Sequence, residues 1–276
     1  MLRVARVVSL MAIAGVIPSC SLLVSTIGLT DGLLSDSGDP SESGGVDGAG
    51  PDGEARDGAV DDGGSTDDWC SPGALLCDDF ERPEGLGPWS FLLAAEGGTA
   101  AIVRDTPFGN ALHAVIPESQ NLSQGAFALE RGSTVLTSRV RYRSRLRVME
   151  LPSSGGANLS EILLYQGSGF SSAFLLLRGN GLSLFEQRCP SQCTTKNHGV
   201  IEALTLRDWH DVVLQLDFTT APTTLVLSVD GVVVHSKASE TGIVPGELEI
   251  SAGFNFSSAP HGRAEVYIDR VSIDAL

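Results

Sequence analysis

From Thr134 to Met149 the chain reads T-V-L-T-S-R-V-R-Y-R-S-R-L-R-V-M, with Arg139, Arg141, Arg143, Arg145 and Arg147 alternating with Val140, Tyr142, Ser144, Leu146 and Val148. A period of two belongs to a strand, whose successive side chains leave opposite faces. One face carries five guanidinium groups roughly 6.6 Å apart, and the other is fit for a core. The spacing predicts a central strand of a β-sandwich around which the folded domain is built. Two roles stay open for the basic face. The five arginines, with Tyr142, are candidate ligand-binding residues for an anionic glycan. Equally, Glu161, Asp211, Asp217 and Asp230 on polar faces of other strands could pair with them, since opposite charges across strands each contribute ~0.2–1 kcal/mol and unpaired like charges repel.

Charge divides the chain. Residues 31–68 hold twelve acidic residues and one base, Arg56, whereas the chain from residue 69 has 15 bases and 22 acids. Phosphate binding needs a basic surface, so nucleic acid is excluded as a partner. The first segment is Gly, Asp, Ser and Pro with almost nothing to bury, and reads as a solvated spacer extended by its own charge. It shows no calcium-binding nonapeptide period. About 208 residues remain, which suits one all-β domain.

Arg3 and Arg6 precede the mostly apolar run Val7–Ile17 and then small residues, the order of a secretory signal. Ile17-Pro18-Ser19-Cys20 resembles the bacterial lipobox, with Pro18 a departure from it. The expected division is a lipoprotein-type signal peptide over 1–19, lipidated Cys20 plus linker over 20–68, and the domain over 69–276. The resemblance implies export, anchoring at the outer membrane or cell surface, and the lipid bilayer as a partner. An uncleaved span is the competing reading, because Val7–Thr30 carries no charge. Lipidation would leave four cysteines in two close pairs, Cys70 with Cys77 and Cys189 with Cys193. Three connectivities exist, and local pairing is expected. Zinc on Cys189, Cys193 and His198 is the weaker alternative, because no second Cys/His pair is present.

Short apolar or alternating runs separated by Gly, Pro, Ser and Asn fill residues 74–276, without a helical period. Fourteen candidate strands emerge. Asp230-Gly231 between Leu225–Val229 and Val232–Val234 marks a two-residue hairpin turn. This spacing predicts an antiparallel two-sheet sandwich or jelly roll.

Cys77-Asp78-Asp79-Phe80-Glu81 with Trp89, Pro107-Phe108-Gly109-Asn110-Ala111-Leu112, Trp209-His210-Asp211-Val212-Val213-Leu214, Ser228-Val229-Asp230-Gly231 and the closing Val266-Tyr267-Ile268-Asp269-Arg270-Val271-Ser272-Ile273-Asp274 together resemble the concanavalin A-like jelly rolls, including laminin G-like domains. The resemblance covers about residues 75–276. In some relatives it implies a structural Ca²⁺, for which Asp79, Glu81 and Asp269 would be ligands; the alternative is that they bond to backbone or to Arg82 and Arg270. No cofactor is required by any motif.

Catalytic signatures are thin. The glucanase pattern E-x-D-x-E of this fold is absent, and Glu247 and Glu249 share a strand face that reads as the solvent side. Arg143-Ser144-Arg145-Leu146-Arg147 resembles the R-[ST]-E-x-R of jelly-roll alginate lyases, with Arg145 in place of the Glu and without the partner motifs. No nucleophile elbow supports a Ser-His-Asp triad. Trp89 and Trp209 are expected in the core, while Phe170, Phe254 and Phe256 border loops where an aromatic could stack on a sugar. The functional expectation is a non-catalytic module binding carbohydrate or another surface partner; the alternatives are a polysaccharide-degrading glycosidase or lyase, and a structural envelope protein.

Overall fold

The computed structural model describes residues 69–82, 85–105, 109–135 and 138–276, all inside the compact unit Ala59–Leu276. The expected signal peptide, Cys20 and the acidic linker lie outside the described residues. Among the described residues no helix is long and apolar enough to cross a membrane.

The described residues form fifteen strands: β1 (Ala74–Asp78), β2 (Phe91–Ala95), β3 (Thr99–Arg104), β4 (Asn110–Ile116), β5 (Gln124–Val135), β6 (Arg139–Glu150), β7 (Ala157–Gln166), β8 (Gly169–Arg178), β9 (Gly181–Cys189), β10 (Thr194–Glu202), β11 (Trp209–Asp217), β12 (Thr224–Val229), β13 (Val232–Ala238), β14 (Glu247–Ser257) and β15 (Ala264–Ala275). They form two antiparallel sheets. The first runs β13-β12-β11-β6-β15-β4-β3, with β1 also on β15, and the second runs β10-β9-β8-β7-β14-β5-β2. The fold is a concanavalin A-like jelly roll. The expected hairpin turn is present, with Asp230 and Gly231 both at positive φ (52° and 77°).

The arginine strand is β6, central in the first sheet between β11 and β15. Its even positions Val140, Tyr142, Leu146 and Val148 enter the core, where they meet Leu159, Ile162, Leu164, Leu175, Leu184, Ile250 and Phe254 of the second sheet. Thr134 and Val135, at the head of the stretch, belong to β5 instead. Tyr142 crosses the core, and its hydroxyl lies 2.8 Å from Ser160 Oγ of β7. Burial pushes that hydroxyl up to about 12, so it stays a neutral hydrogen-bonding group throughout the working pH range. Tyr142 is therefore no ligand-binding residue; the alternation that faces the arginines outward faces it inward.

Both disulfides close locally, Cys70–Cys77 and Cys189–Cys193. The second removes the thiolates a zinc site would need, and His198 turns instead to Glu186, 2.7 Å away. Glu186 closes the edge of the sandwich where β9 and β10 approach β13. Its carboxylate accepts from Ser239 Oγ (2.5 Å), Thr241 Oγ1 (2.9 Å) and the backbone N–H groups of Glu240 and Thr241. These donors and His198 outweigh burial and hold the carboxyl below the ordinary range. The ring of His235 on β13 sits 4.6 Å from His198, with its Nε2 buried and without a hydrogen-bond partner.

Burial first, then the neighbouring His198, lowers the proton affinity of His235. The folded chain thus holds this proton less readily than the unfolded chain. The stability that neutral His235 contributes is complete above the ordinary histidine value of about 6.5 and is lost as the pH falls from there through the lowered folded value. Replacing His235 by Phe is expected to flatten the fall in melting temperature on acidification below about pH 6.5; an unchanged pH profile would contradict this.

Candidate active site

The two outward faces of the sandwich differ in chemistry. On the first sheet the arginines meet acids contributed by distant segments. Arg139 Nε lies 2.7 Å from Asp217, Arg141 Nη2 2.9 Å from Asp274, Arg145 Nη1 3.9 Å from Asp269 and Arg147 Nη2 2.6 Å from Asp105. Arg143 lies over the Trp69 ring at 4.4 Å and donates to its carbonyl. Arg147 is held between Trp209 and Tyr267, each 4.9 Å away. Trp209, expected in the core, instead covers arginine on the outer face. Of the four partners foreseen for this face, Asp217 is one; Glu161 stands in the other sheet, and Asp230 takes His210 Nδ1 at 2.8 Å.

The residues considered for calcium each have partners within the protein. Asp269 is turned to Arg270 (3.3 Å) and Arg145, Asp79 accepts the Glu81 N–H, and Glu81 Oε1 accepts the Asn110 N–H. Burial, with Glu81 and Asp79 nearby, raises Asp269 against the pull of the two arginines. Among the described residues no group of three or more His, Cys, Asp or Glu side chains is gathered as a metal would need.

The outward face of the second sheet is different. A register shift between Asn158 and Ser160 in the β7–β8 pairing makes β7 bulge. Leu159 and Ser160 turn inward, and Asn158 and Glu161 share the outer face, which regular alternation would forbid. Opposite them, β14 carries its own irregularity between Ala252 and Phe256. Gly253 is there at φ +97°, where a Cβ would stand 2.7 Å from the Gly125 carbonyl oxygen, so no side chain fits. The bend delivers Asn255 to Glu161 and Phe256 to Phe174.

Glu161 is the centre of this face. It is only 6% exposed, and its Oε2 accepts from the side-chain amides of Asn158 (3.3 Å) and Asn255. Burial pushes its carboxyl up to about 7; Ser172, Asn255 and Asn158 pull it back, and the nearby Glu249 raises it further. Glu249 is placed by register. Ser251 pairs directly with Glu161, and Glu249 is the next outward residue along β14. Such diagonal neighbours lie about 7–8 Å apart. The Tyr165 hydroxyl donates to Glu249 Oε2 at 3.2 Å. Glu249 thus stands on the outer face as expected, and what the sequence did not disclose is the second carboxyl beside it.

Aromatic rings flank the pair: Phe174 stacks on Phe185 at 4.7 Å and meets the edge of Phe256 at 5.4 Å. Phe256 and Phe185 are partly exposed above the buried Phe174, whereas Phe254 lies wholly in the core. Neutral polar groups complete the surface, among them Gln187 and Asn255, and the buried Asn158 Oδ1, Ser183 Oγ and Ser251 Oγ have no protein hydrogen-bond partner.

No family model and no curated protein matches the sequence. Solved structures do match the fold. An endo-β-1,4-glucuronan lyase from the fungus Trichoderma reesei is 14% identical, with 74% of this chain and 96% of that one covered at a TM-score of 0.57. A GH16 protein of the Bacteroides ovatus mixed-linkage-glucan locus, solved with a product, is 15% identical over 72% and 99% of the two chains at 0.51. An alginate lyase from a Chlorella virus is 9% identical over 69% and 94% at 0.51. These likenesses define the class as a concanavalin A-like jelly roll. They also correct the expectation of a non-catalytic module, because these three neighbours, each covered over 94% or more of its length, are two polysaccharide lyases and a GH16 protein.

The arginine pairs generate a prediction. Asp274 is 1% exposed, and Arg141→Ser removes its guanidinium partner, leaving Ser71 as its remaining side-chain donor. The substitution is expected to lower unfolding stability by about 1–3 kcal/mol, read by denaturant titration. An unchanged stability would show that Arg141 is not held as a structural partner.

Proposed function

We propose that the chain hydrolyses a neutral polysaccharide on the outward face of its second sheet, with Glu161 as the general acid and Glu249 as the second carboxyl. The observation that carries this reading is the displacement of Glu161 to about 7 beside another glutamate on the same face. Glycoside hydrolysis needs one carboxyl that keeps a proton near neutral pH for the leaving oxygen, and a second that attacks the sugar or activates water. The two carboxyl groups stand about 5–9.5 Å apart in such enzymes, and the diagonal register sets the strand positions of Glu161 and Glu249 about 7–8 Å apart on one face. Burial and the repulsion of the second carboxyl are the usual physical means of holding such a proton. Phe185 and Phe256 offer apolar faces for sugar rings, and the amides and hydroxyls around them suit hydroxyl-bearing substrate.

Charge favours hydrolysis of a neutral chain over elimination from a uronic acid polymer. Elimination requires the substrate carboxylate to be neutralised. The five arginines of β6 lie on the opposite sheet, four of them already in ion pairs. On this face the two glutamates stand at the centre, and Arg178, which shares the face, lies at the end of β8, four residues beyond Phe174. A uronate would meet repulsion there.

The test is incubation of the purified chain with mixed-linkage β-glucan, glucuronan and alginate, following both new reducing ends and the ultraviolet absorbance of unsaturated ends. Reducing ends from the neutral glucan without unsaturated product are expected. Glu161→Gln and Glu249→Gln should each lower the rate by about 10²-fold or more. The wild-type rate should fall as the pH rises through about 7, where Glu161 loses its proton. Unsaturated ends from the uronans, or full activity in Glu161→Gln, would overturn the reading.

A further inference from the structure

A second site lies away from the glutamate pair. At one end of the sandwich, the β11–β12 loop and the strap from β13 to β14 border an open cleft of about 350 Å³, lined by Phe218, Pro222, Ile243, Val244 and Pro245 with one charged side chain, Arg188. The volume is at the lower end for a small-molecule pocket, and mostly apolar walls with a few placed polar groups, here Arg188, Thr220 and Thr223, are the usual make-up of one. Arg188 belongs to β9, where the outward series runs through Phe185 and Gln187. Strand alternation therefore turns Arg188 toward the sandwich end and away from the Glu161 face.

The state of this guanidinium is what points to a ligand. Every arginine of β6 has an acid or an aromatic ring against it, but Arg188 forms no ion pair with any described residue, and its Nε is buried without a hydrogen-bond partner. It lies against Gly242 instead: a Cβ at Gly242 would stand 3.2 Å from Arg188 Nη1. A half-buried, unneutralised guanidinium beside an apolar cavity is costly unless an anion completes it, and its planar fork fits a carboxylate through two parallel N–H donors. The strap that forms the far wall is pinned by Glu186 through Ser239 and Thr241 and by the bond from Gln166 to the Val244 carbonyl (2.7 Å), so the pocket is largely formed in advance.

We propose that this pocket binds a small organic carboxylate, the anionic end on Arg188 and an apolar body against Phe218, Ile243 and Val244. The site does not depend on the hydrolase reading, because none of its residues touches the Glu161 face.

The experiment is a titration of the purified chain with benzoate and with its uncharged isostere benzamide, followed by isothermal calorimetry and by amide shifts at Gly242 and Ile243. Benzoate should bind at least tenfold more tightly than benzamide, and the shifts should centre on the strap. Arg188→Gln should lose tenfold or more in benzoate affinity, and Arg188→Lys should retain part of it. Val244→Trp, which fills the cavity, should abolish binding at an unchanged melting temperature, whereas Glu161→Gln should bind benzoate as the wild type does. Equal affinity for benzamide, benzoate binding that survives Arg188→Gln, or no benzoate binding by the wild type would each overturn the proposal.

Discussion

The first sheet depends on neutralising the outward face of β6. Five arginines on alternate positions of one strand would repel one another, and the strand stays central because acids from four other places in the chain, Asp105, Asp217, Asp269 and Asp274, reach it together with Trp69, Trp209 and Tyr267. These contacts join the loop after β3, the strands β11 and β15, and the segment before β1. Their yield per exposed pair is small. Asp274 and Asp269 are nonetheless buried, and leaving either without its cation would cost much more than the pair contributes. The basic stripe is accordingly part of the scaffold, with its charge consumed internally.

The second sheet uses the opposite device. At the centre of its outer face the charge is left under strain: among the described residues Glu161 has two amide donors and no ion pair, in a place nearly closed to water. Carboxylates on the first sheet are matched by guanidinium groups, whereas Glu161 is matched by burial and by Glu249, both of which favour its protonated form. One sandwich thus separates a charge-paired supporting face from a face carrying a carboxyl that burial raises to about 7.

Much of the architecture was legible in the sequence. The period of two over 139–148, the Asp-Gly turn and the close cysteine pairs are local signals, and each is governed by residues only a few positions apart. The geometry of the candidate site is not local. Asn158 and Glu161 are three residues apart, so alternation puts them on opposite faces, and only the bulge of β7 brings them together; the bulge is set by how β7 pairs with β8 and β14. The meeting of Glu249 with Glu161 likewise depends on a register between strands far apart in sequence. β10 leaves no strand signal because Thr194–Glu202 is polar and has no alternating core face, and the position of Trp209 at a strand start does not say which face it takes. The one available signal for the site was the sequence S-E-I-L-L inside an otherwise apolar strand, an acid where a core-forming run should carry none.

The measurement that bears most directly on this account is an NMR titration of the Glu161 side-chain carboxyl in the folded chain, assigned by comparison with Glu161→Gln. The account predicts a midpoint of about 7, displaced far above the ordinary glutamate value of 4.5. A midpoint at that ordinary value would contradict it, because Glu161 would then be ionised at neutral pH and could not serve as the proton donor of the face.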